Sequence, residues 1–85
     1  THYSVALRYE PDQGDGAPIC VAKGVDALAL RIREVATEHG VPIVENVPLA
    51  RALYATVEVD EVIPREHFDA AAKIIGFVFQ SRKRR

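Results

Sequence analysis

Apolar and polar residues alternate at the start of the chain. Residues 3–9 read YSVALRY, so every second position from Tyr3 to Tyr9 carries an aromatic or aliphatic side chain. This period of two is typical of a half-buried strand. Residues 19–22 form a shorter, almost wholly apolar run, which predicts a second strand buried on both faces. Between them, residues 10–18 contain two prolines, two glycines and three acids, and predict a loop too long for a tight hairpin.

Helical spacing follows the second strand. Residues 27–39 carry apolar side chains three and four positions apart, and Asp26 is the predicted N-cap of this helix. Gly40 suits the left-handed position just beyond a helix end. The stripe predicted to face the core consists of Leu28, Ile32, Val35 and Ala36.

Two further helices are predicted in the second half of the chain. A short one covers residues 49–55, with Pro48 in its first turn. The last one opens at Pro64. Its apolar face is predicted to be Phe68, Ala71, Ala72, Ile75 and Phe79, widened by Ile74 and Val78.

The segments between the helices are harder to place. Residues 41–47 are predicted to form a third strand, parallel to residues 19–22 and joined to them by a right-handed crossover. Residues 57–63 alternate like a strand but are acidic, so we interpret them as a mostly extended connection. The predicted fold class is therefore α/β, a small mixed sheet of three strands wrapped by three helices.

Composition restricts the possible functions. The 85 residues make one domain, predicted over residues 1–81, followed by a basic, frayed tail at 82–85. Because those four residues are all basic and the chain carries −1, the domain itself carries −5, which argues against nucleic-acid binding. The single cysteine, Cys20, excludes an intramolecular disulfide and is predicted to be a buried, reduced thiol. No apolar run is long enough to predict a membrane span.

Motifs for catalysis or cofactor binding are absent from the sequence. The three histidines, His2, His39 and His67, lie far apart and have no metal-ligand spacing. The glycines form neither a dinucleotide-binding fingerprint nor a phosphate-binding loop. We therefore expect no metal and no cofactor, and no enzyme activity by turnover.

Several blocks of the sequence resemble one known family. The first block is Thr1-His2-Tyr3-Ser4-Val5-Ala6-Leu7, and later blocks are VAKG at 21–24, LALRIREVATEH at 28–39 and PLARALY at 48–54. Together they resemble the flagellar FlhB family of type III export-switch proteins, over about residues 1–80. The matching region lies downstream of that family's Asn-Pro-Thr-His autocleavage site.

This resemblance implies a fold and a function. A fourth strand would come from the segment upstream of the cleavage site. The parent would be an inner-membrane component of the flagellar type III export apparatus, with this domain on the cytoplasmic face of the membrane. The domain would bind export substrates and take part in the switch from rod/hook to filament substrates.

The implied partners follow from that function. They are rod/hook-type export substrates, the hook-length control protein, other export-gate components and the upstream half of the parent chain; the membrane would be reached only through the N-terminal part. The alternatives are a stand-alone FlhB-like adaptor and a generic regulatory protein-binding α/β domain.

The resemblance also implies site residues. Thr1 and His2 would be neighbours of the cleaved bond, whose Asn is absent from this chain. The implied substrate-binding patch is Ala17, Pro18, Ala72 and Ile75, although Ala72 and Ile75 would also suit a core-facing stripe. The family signature is Pro48, Leu49, Ala50 and Arg51, which a helix start packed on the sheet would equally explain.

Overall fold

The computed structural model describes residues 2–10 and 16–83 and, for residues 81–83, the backbone alone. Both strands predicted from residues 1–22 and all three predicted helices are confirmed. In chain order the elements are β1 (Tyr3–Arg8), β2 (Ile19–Val25), α1 (Asp26–Glu38), α2 (Val47–Thr56), a 3₁₀ turn (Arg65–His67) and α3 (Phe68–Lys83).

The two strands form an antiparallel sheet. Tyr3 lies opposite Val25 at one end, and Arg8 lies opposite Ile19 at the other. The register shifts once, between Ala6 and Leu7, because Val21 of β2 has no partner and forms a bulge. The prediction that this strand is buried on both faces is wrong, since Val21 at the bulge is 42% exposed, whereas its neighbour Cys20 is fully buried.

The predicted third strand is wrong for the described part of the chain. Residues 41–46 have no regular secondary structure, and α2 begins at Val47. The predicted parallel crossover is therefore wrong too. Pro42 has no N–H to donate to a ladder, and the side chain of Asn46 instead accepts from Leu49 N–H (3.1 Å) as the N-cap of α2.

Helix α1 ends as its sequence predicts. Gly40 has φ of 69° and donates to Thr37 O (3.2 Å), and Val41 donates to Ala36 O (2.8 Å). These two bonds form a Schellman motif, which uses the carbonyls left over at the helix end.

The face that α1 turns to the sheet agrees only in part with the predicted stripe, of which Ile32 and Ala36 are half-buried. Ala29 is fully buried, whereas Leu28 and Val35 are 54% and 38% exposed. The small residues allow a close approach: a Cβ built on Gly24 would lie only 2.5 Å from Leu28 Cγ. The start of α1 is therefore tightly packed, because the Leu28 side chain lies against the backbone of Gly24, where a Cβ would not fit.

The core lies between the sheet, α2 and α3. Its buried members come from four segments, with Val5, Leu7, Leu49 and Phe68 packed around them. They are Cys20, Leu53, Val57, Ile63 and Ala71.

Residues 57–63 complete this core along the edge of β2. Cys20 N–H donates to Glu61 O (2.9 Å), and Asp60 N–H donates to the Cys20 carbonyl. Ile63 N–H donates to Pro18 O (3.0 Å), and Val62 forms an isolated antiparallel bridge with Ile19. The predicted extended connection is therefore hydrogen-bonded to the sheet, with a turn at Asp60, where φ is 75°.

Helix α3 continues through Lys83, beyond the predicted start of the tail. The last two tail residues, Arg84 and Arg85, lie outside the described residues, as do residues 11–15 of the predicted loop. Ala71 faces the core as predicted, but Ala72 is exposed, and Phe79 is 38% exposed.

Candidate functional site

The start of β1 is bonded to the start of α1. His2 N–H donates to Asp26 Oδ1 (3.2 Å), and Asp26 N–H donates to His2 O (2.8 Å). Two residues further on, the buried Ser4 hydroxyl donates to Ala29 O (2.9 Å). The sequence predicted Asp26 as a helix N-cap, but its carboxylate accepts from the neighbouring strand instead.

Aromatic packing holds the same end of β1 against α2. The rings of Tyr3 and Tyr54 lie 5.5 Å apart between centroids, and Lys23 Nζ lies 4.9 Å from the Tyr54 centroid. These distances fit a tilted aromatic pair and a cation–π contact.

Lys23 joins the sheet to the end of α2. Its Nζ donates to Tyr54 O (3.0 Å) and Val57 O (2.8 Å), and it lies 3.8 Å from a carboxylate oxygen of Glu58. A cation at this position satisfies carbonyls left over at a helix C-terminus and interacts favourably with the helix dipole. The sequence shows this lysine within VAKG but does not show which carbonyls it reaches.

The predicted cleavage-site neighbours fall at this end of the molecule. His2 is exposed, and its main chain is held by Asp26. Thr1 lies outside the described residues. Ser4, Lys23, Asp26 and Tyr54 support the start of β1, but the sequence does not show that these four side chains act on it together.

The four residues of the predicted substrate patch lie on two elements. Ala17 is half-buried and Pro18 is buried, both just before β2, whereas on α3 Ala72 is exposed and Ile75 is half-buried. The core-facing alternative therefore does not apply to Ala72.

Tyr9, directly after β1, lies near both the residues before β2 and α3. The Tyr9 ring lies 5.8 Å from the Phe79 ring of α3, measured between centroids. A Cβ on Gly16, next to Ala17, would lie 3.5 Å from the Tyr9 hydroxyl oxygen. Tyr9 thus lies close to the residues just before β2 and to the C-terminal half of α3.

The predicted family signature lies at the start of α2. Pro48 and Arg51 are exposed, whereas Ala50 is half-buried and Leu49 packs against the core. With Asn46 capping the helix, this arrangement fits the simple explanation of a helix start packed on the sheet.

Cys20 is a buried thiol, as predicted. Its exposed fraction is 0%, and its Sγ lies 3.5 Å from Ala22 O. Burial raises the pKa of the Cys20 thiol above its ordinary value, because desolvation disfavours the thiolate. A neutral, inaccessible thiol is a poor nucleophile.

The histidines occupy separate environments. His67 is largely covered, with Nε2 3.3 Å from Thr56 Oγ1 and 3.7 Å from a Glu66 carboxylate oxygen, whereas His2 and His39 are exposed. Over residues 2–10 and 16–83, no three His, Cys, Asp or Glu side chains are grouped as metal ligands would be. Of the helices that the structure describes, none has the length and apolar character needed to cross a bilayer.

Comparison with known proteins identifies the family. The profile of the FlhB HrpN YscU SpaS family matches residues 1–78. The chain belongs to this family. Among its FlhB relatives, the flagellar biosynthetic protein FlhB of Bacillus subtilis is 51% identical over 84 residues. That alignment covers 99% of this chain but only 23% of the relative, so the chain spans about a quarter of that protein's length.

Solved structures of this family share the fold. The cytoplasmic domain of FlhB from Shewanella putrefaciens matches 99% of this chain and 67% of its own, with a TM-score of 0.89 and 46% identity. The PscU C-terminal domain matches 92% and 98% of the two chains, with a TM-score of 0.86 and 37% identity. The resemblance to the flagellar FlhB family is thereby confirmed, and the chain aligns with about two thirds of the cytoplasmic domain of the Shewanella putrefaciens FlhB.

Proposed function

We propose that this domain works in the flagellar type III export apparatus, where it binds rod/hook-type substrates and takes part in the switch to filament substrates. The observation that carries the proposal is the match to FlhB along almost the whole chain. In this proposal the parent is an inner-membrane protein and the domain lies on its cytoplasmic face. Its further partners are the hook-length control protein and other export-gate components.

The switch would follow self-cleavage of the parent between Asn and Pro, one residue before Thr1. The Asn side-chain nitrogen attacks its own main-chain carbonyl carbon, forming the C–N bond of a succinimide. The bond from that carbon to the proline nitrogen breaks, and a proton passes from the attacking amide to the leaving amine. Ordinary attack by the following backbone nitrogen is not available, since proline has no N–H. The event happens once per chain, so it is not enzymatic turnover.

The segment upstream of the cleaved bond would add a strand. In the described part of the chain β1 has one strand neighbour, β2, so the other edge of β1 is open to a further strand. A tight connection from that strand into His2 would make an antiparallel pair. Amide exchange of β1, measured with and without the upstream peptide, tests this: added protection along β1 is expected, and unchanged exchange would contradict it.

Substrate binding is proposed at the patch of Ala17, Pro18, Ala72 and Ile75. The exposed methyl of Ala72 and the half-buried Ile75 offer a small apolar surface on α3, and Tyr9 links that helix to the approach to β2. A surface of this kind suits a short apolar signal in an extended peptide.

Two matched alanine substitutions test the patch. Ala72→Asp places a charge in it, and Ala70→Asp places the same charge on an exposed site of the same helix. We expect Ala72→Asp to weaken binding of a rod/hook-type signal peptide at least about tenfold, measured by calorimetry, since a desolvated charge costs more than the ~1.4 kcal/mol that a tenfold change represents. Equal binding by the two variants, both folded, would remove the patch from the proposal.

A further inference from the structure

Asp26 has an unusual backbone conformation. Its φ is +50°, in the left-handed region, although it has a side chain and stands at the first position of α1. Asp and Asn adopt this region more readily than other residues with a side chain, but it remains uncommon for them. Such a conformation persists where surrounding bonds require it.

The bonds to His2 supply the reason. Antiparallel register places His2 opposite Asp26, one step beyond the pair formed by Tyr3 and Val25. In a hydrogen-bonded pair of this kind each residue gives one N–H and one carbonyl oxygen. Asp26 N–H does reach His2 O (2.8 Å), but the His2 N–H is accepted by Asp26 Oδ1 (3.2 Å).

The Asp26 carboxylate therefore replaces a main-chain carbonyl. Residue 26 is already the first residue of α1. Its side-chain oxygen nevertheless accepts a hydrogen bond from the opposite strand, so the ladder of β1 and β2 is longer by one residue pair. Both main-chain polar groups of His2 are thereby fixed by one residue, and Ser4 is tied to the same helix turn through Ala29 O. These contacts fix the main chain at His2, directly before β1.

We propose that Asp26 is a positioning residue for this self-cleavage, because it fixes the main chain of His2, two residues after the proline of the bond that the parent would cleave. This inference rests on the proposed self-cleavage. Cyclisation of Asn requires its side-chain nitrogen to be held close to its own carbonyl carbon, and small displacements of a reacting pair lower rates steeply. Asp26 acts on that geometry through His2, without touching the reacting atoms.

Two substitutions at Asp26 and one at a control site separate the role of its side-chain oxygen from that of its backbone conformation. Asp26→Asn keeps an acceptor oxygen and a residue that tolerates the left-handed region. Asp26→Gly relieves the backbone and keeps the N–H but has no side-chain acceptor. Asp69→Gly is the control, because Asp69 is also an acid in the first turn of a helix and its loss changes charge and helix propensity similarly.

The first test uses the parent chain with its Asn-Pro segment, and cleavage is followed by intact mass. We expect Asp26→Gly to slow cleavage by about tenfold or more, and Asp26→Asn to stay within about threefold of the unchanged parent. Asp69→Gly should cleave as the unchanged parent does. If Asp26→Gly is folded by circular dichroism and cleaves at the unchanged rate, the proposal is overturned.

The second test uses the 85-residue chain and does not depend on cleavage. Amide exchange measured by NMR should be about tenfold faster for His2 in Asp26→Gly, with exchange in the core of β2 unchanged, and Asp26→Asn should restore the protection. Unchanged His2 exchange in Asp26→Gly would show that Asp26 does not fix this end of the strand. If the unchanged parent fails to cleave while the exchange result holds, self-cleavage is lost and the positioning of His2 by Asp26 stands.

Discussion

The connection after α2, residues 57–63, and the connection after α1, residues 41–46, differ in what their backbones bond to. The first bonds to Cys20 and Pro18 along β2 and buries Val57 and Ile63, at 1% and 2% exposure. The second leaves Val41, Ile43 and Val44 between 41% and 53% exposed. Both are rich in branched aliphatic residues, so apolar content alone does not place a segment in the core.

The helix before each connection accounts for the difference. Lys23 holds the end of α2 against the sheet. The following residues therefore lie along the edge of β2, where their main-chain groups can form hydrogen bonds with it. The Schellman motif at Gly40 ends α1. The chain then runs past Pro42 to Asn46, which caps α2. Backbone partners, rather than side-chain apolarity, separate the two connections.

The largest expected effect comes from a matched pair of isoleucines. Ile63→Ala removes a buried side chain and should lower the free energy of unfolding by about 3 kcal/mol. Ile43→Ala, at a site 45% exposed, should lower it by less than about 1 kcal/mol. Urea unfolding of the two variants measures this. Similar losses would mean that residues 41–46 are packed as well as residues 57–63, and the comparison would fail.

A smaller effect is expected from Lys23→Met. The substitution keeps an apolar stem but removes the donor to Tyr54 O and Val57 O. Hydrogen bonds from a charged group contribute about 2 kcal/mol to stability, so the free energy of unfolding should fall by about that amount. The control is Lys73→Met, at an exposed lysine of α3, where we expect less than about 0.5 kcal/mol.

Faster amide exchange confined to residues 57–63 in Lys23→Met would show that the ammonium group holds this connection. If the two lysine variants unfold at the same urea concentration, Lys23 does not hold the end of α2.

The smallest expected effect is a pH dependence of stability that comes from Cys20, whose main chain is hydrogen-bonded to residues 60–61. The pKa of this thiol is raised in the folded protein, so the folded state holds its proton more tightly than the unfolded state. The resulting stabilisation is present below the unfolded thiol's pKa and is lost as the pH rises through the folded value. As the pH rises past the ordinary pKa of an unfolded thiol, the free energy of unfolding of this chain should fall further than that of Cys20→Ala. Parallel pH profiles for the two proteins would contradict burial of the thiol under this connection.

Much of the fold is predictable because its signals are local. Alternation predicts β1, helical spacing predicts α1 and α3, and Gly40 predicts the end of α1. The strand at residues 41–47 was mispredicted because an apolar run shows only that a segment is suited to pairing, whereas pairing also requires an edge within reach.

The candidate site is less predictable than the fold. Asp26 has the sequence signature of an N-cap, and only the register of β1 shows that its carboxylate serves His2 instead. Lys23 likewise acts on carbonyls that come from a helix far along the chain. The patch residues follow from the family resemblance, whereas the periodicity of α3 alone predicts Ala72 in the core rather than on the surface.

The bulge at Val21 has a consequence for variation among relatives. The bulge, together with the buried face of the sheet, helps to hold the register of β1 and β2, so the register depends less on the length of the connection between them. Lengthening a flexible connection costs only a logarithmic amount of closure entropy. Insertions and deletions between residues 11 and 15 should therefore be tolerated without a slip in strand pairing, whereas Ala17 and Pro18 are constrained by their place just before β2.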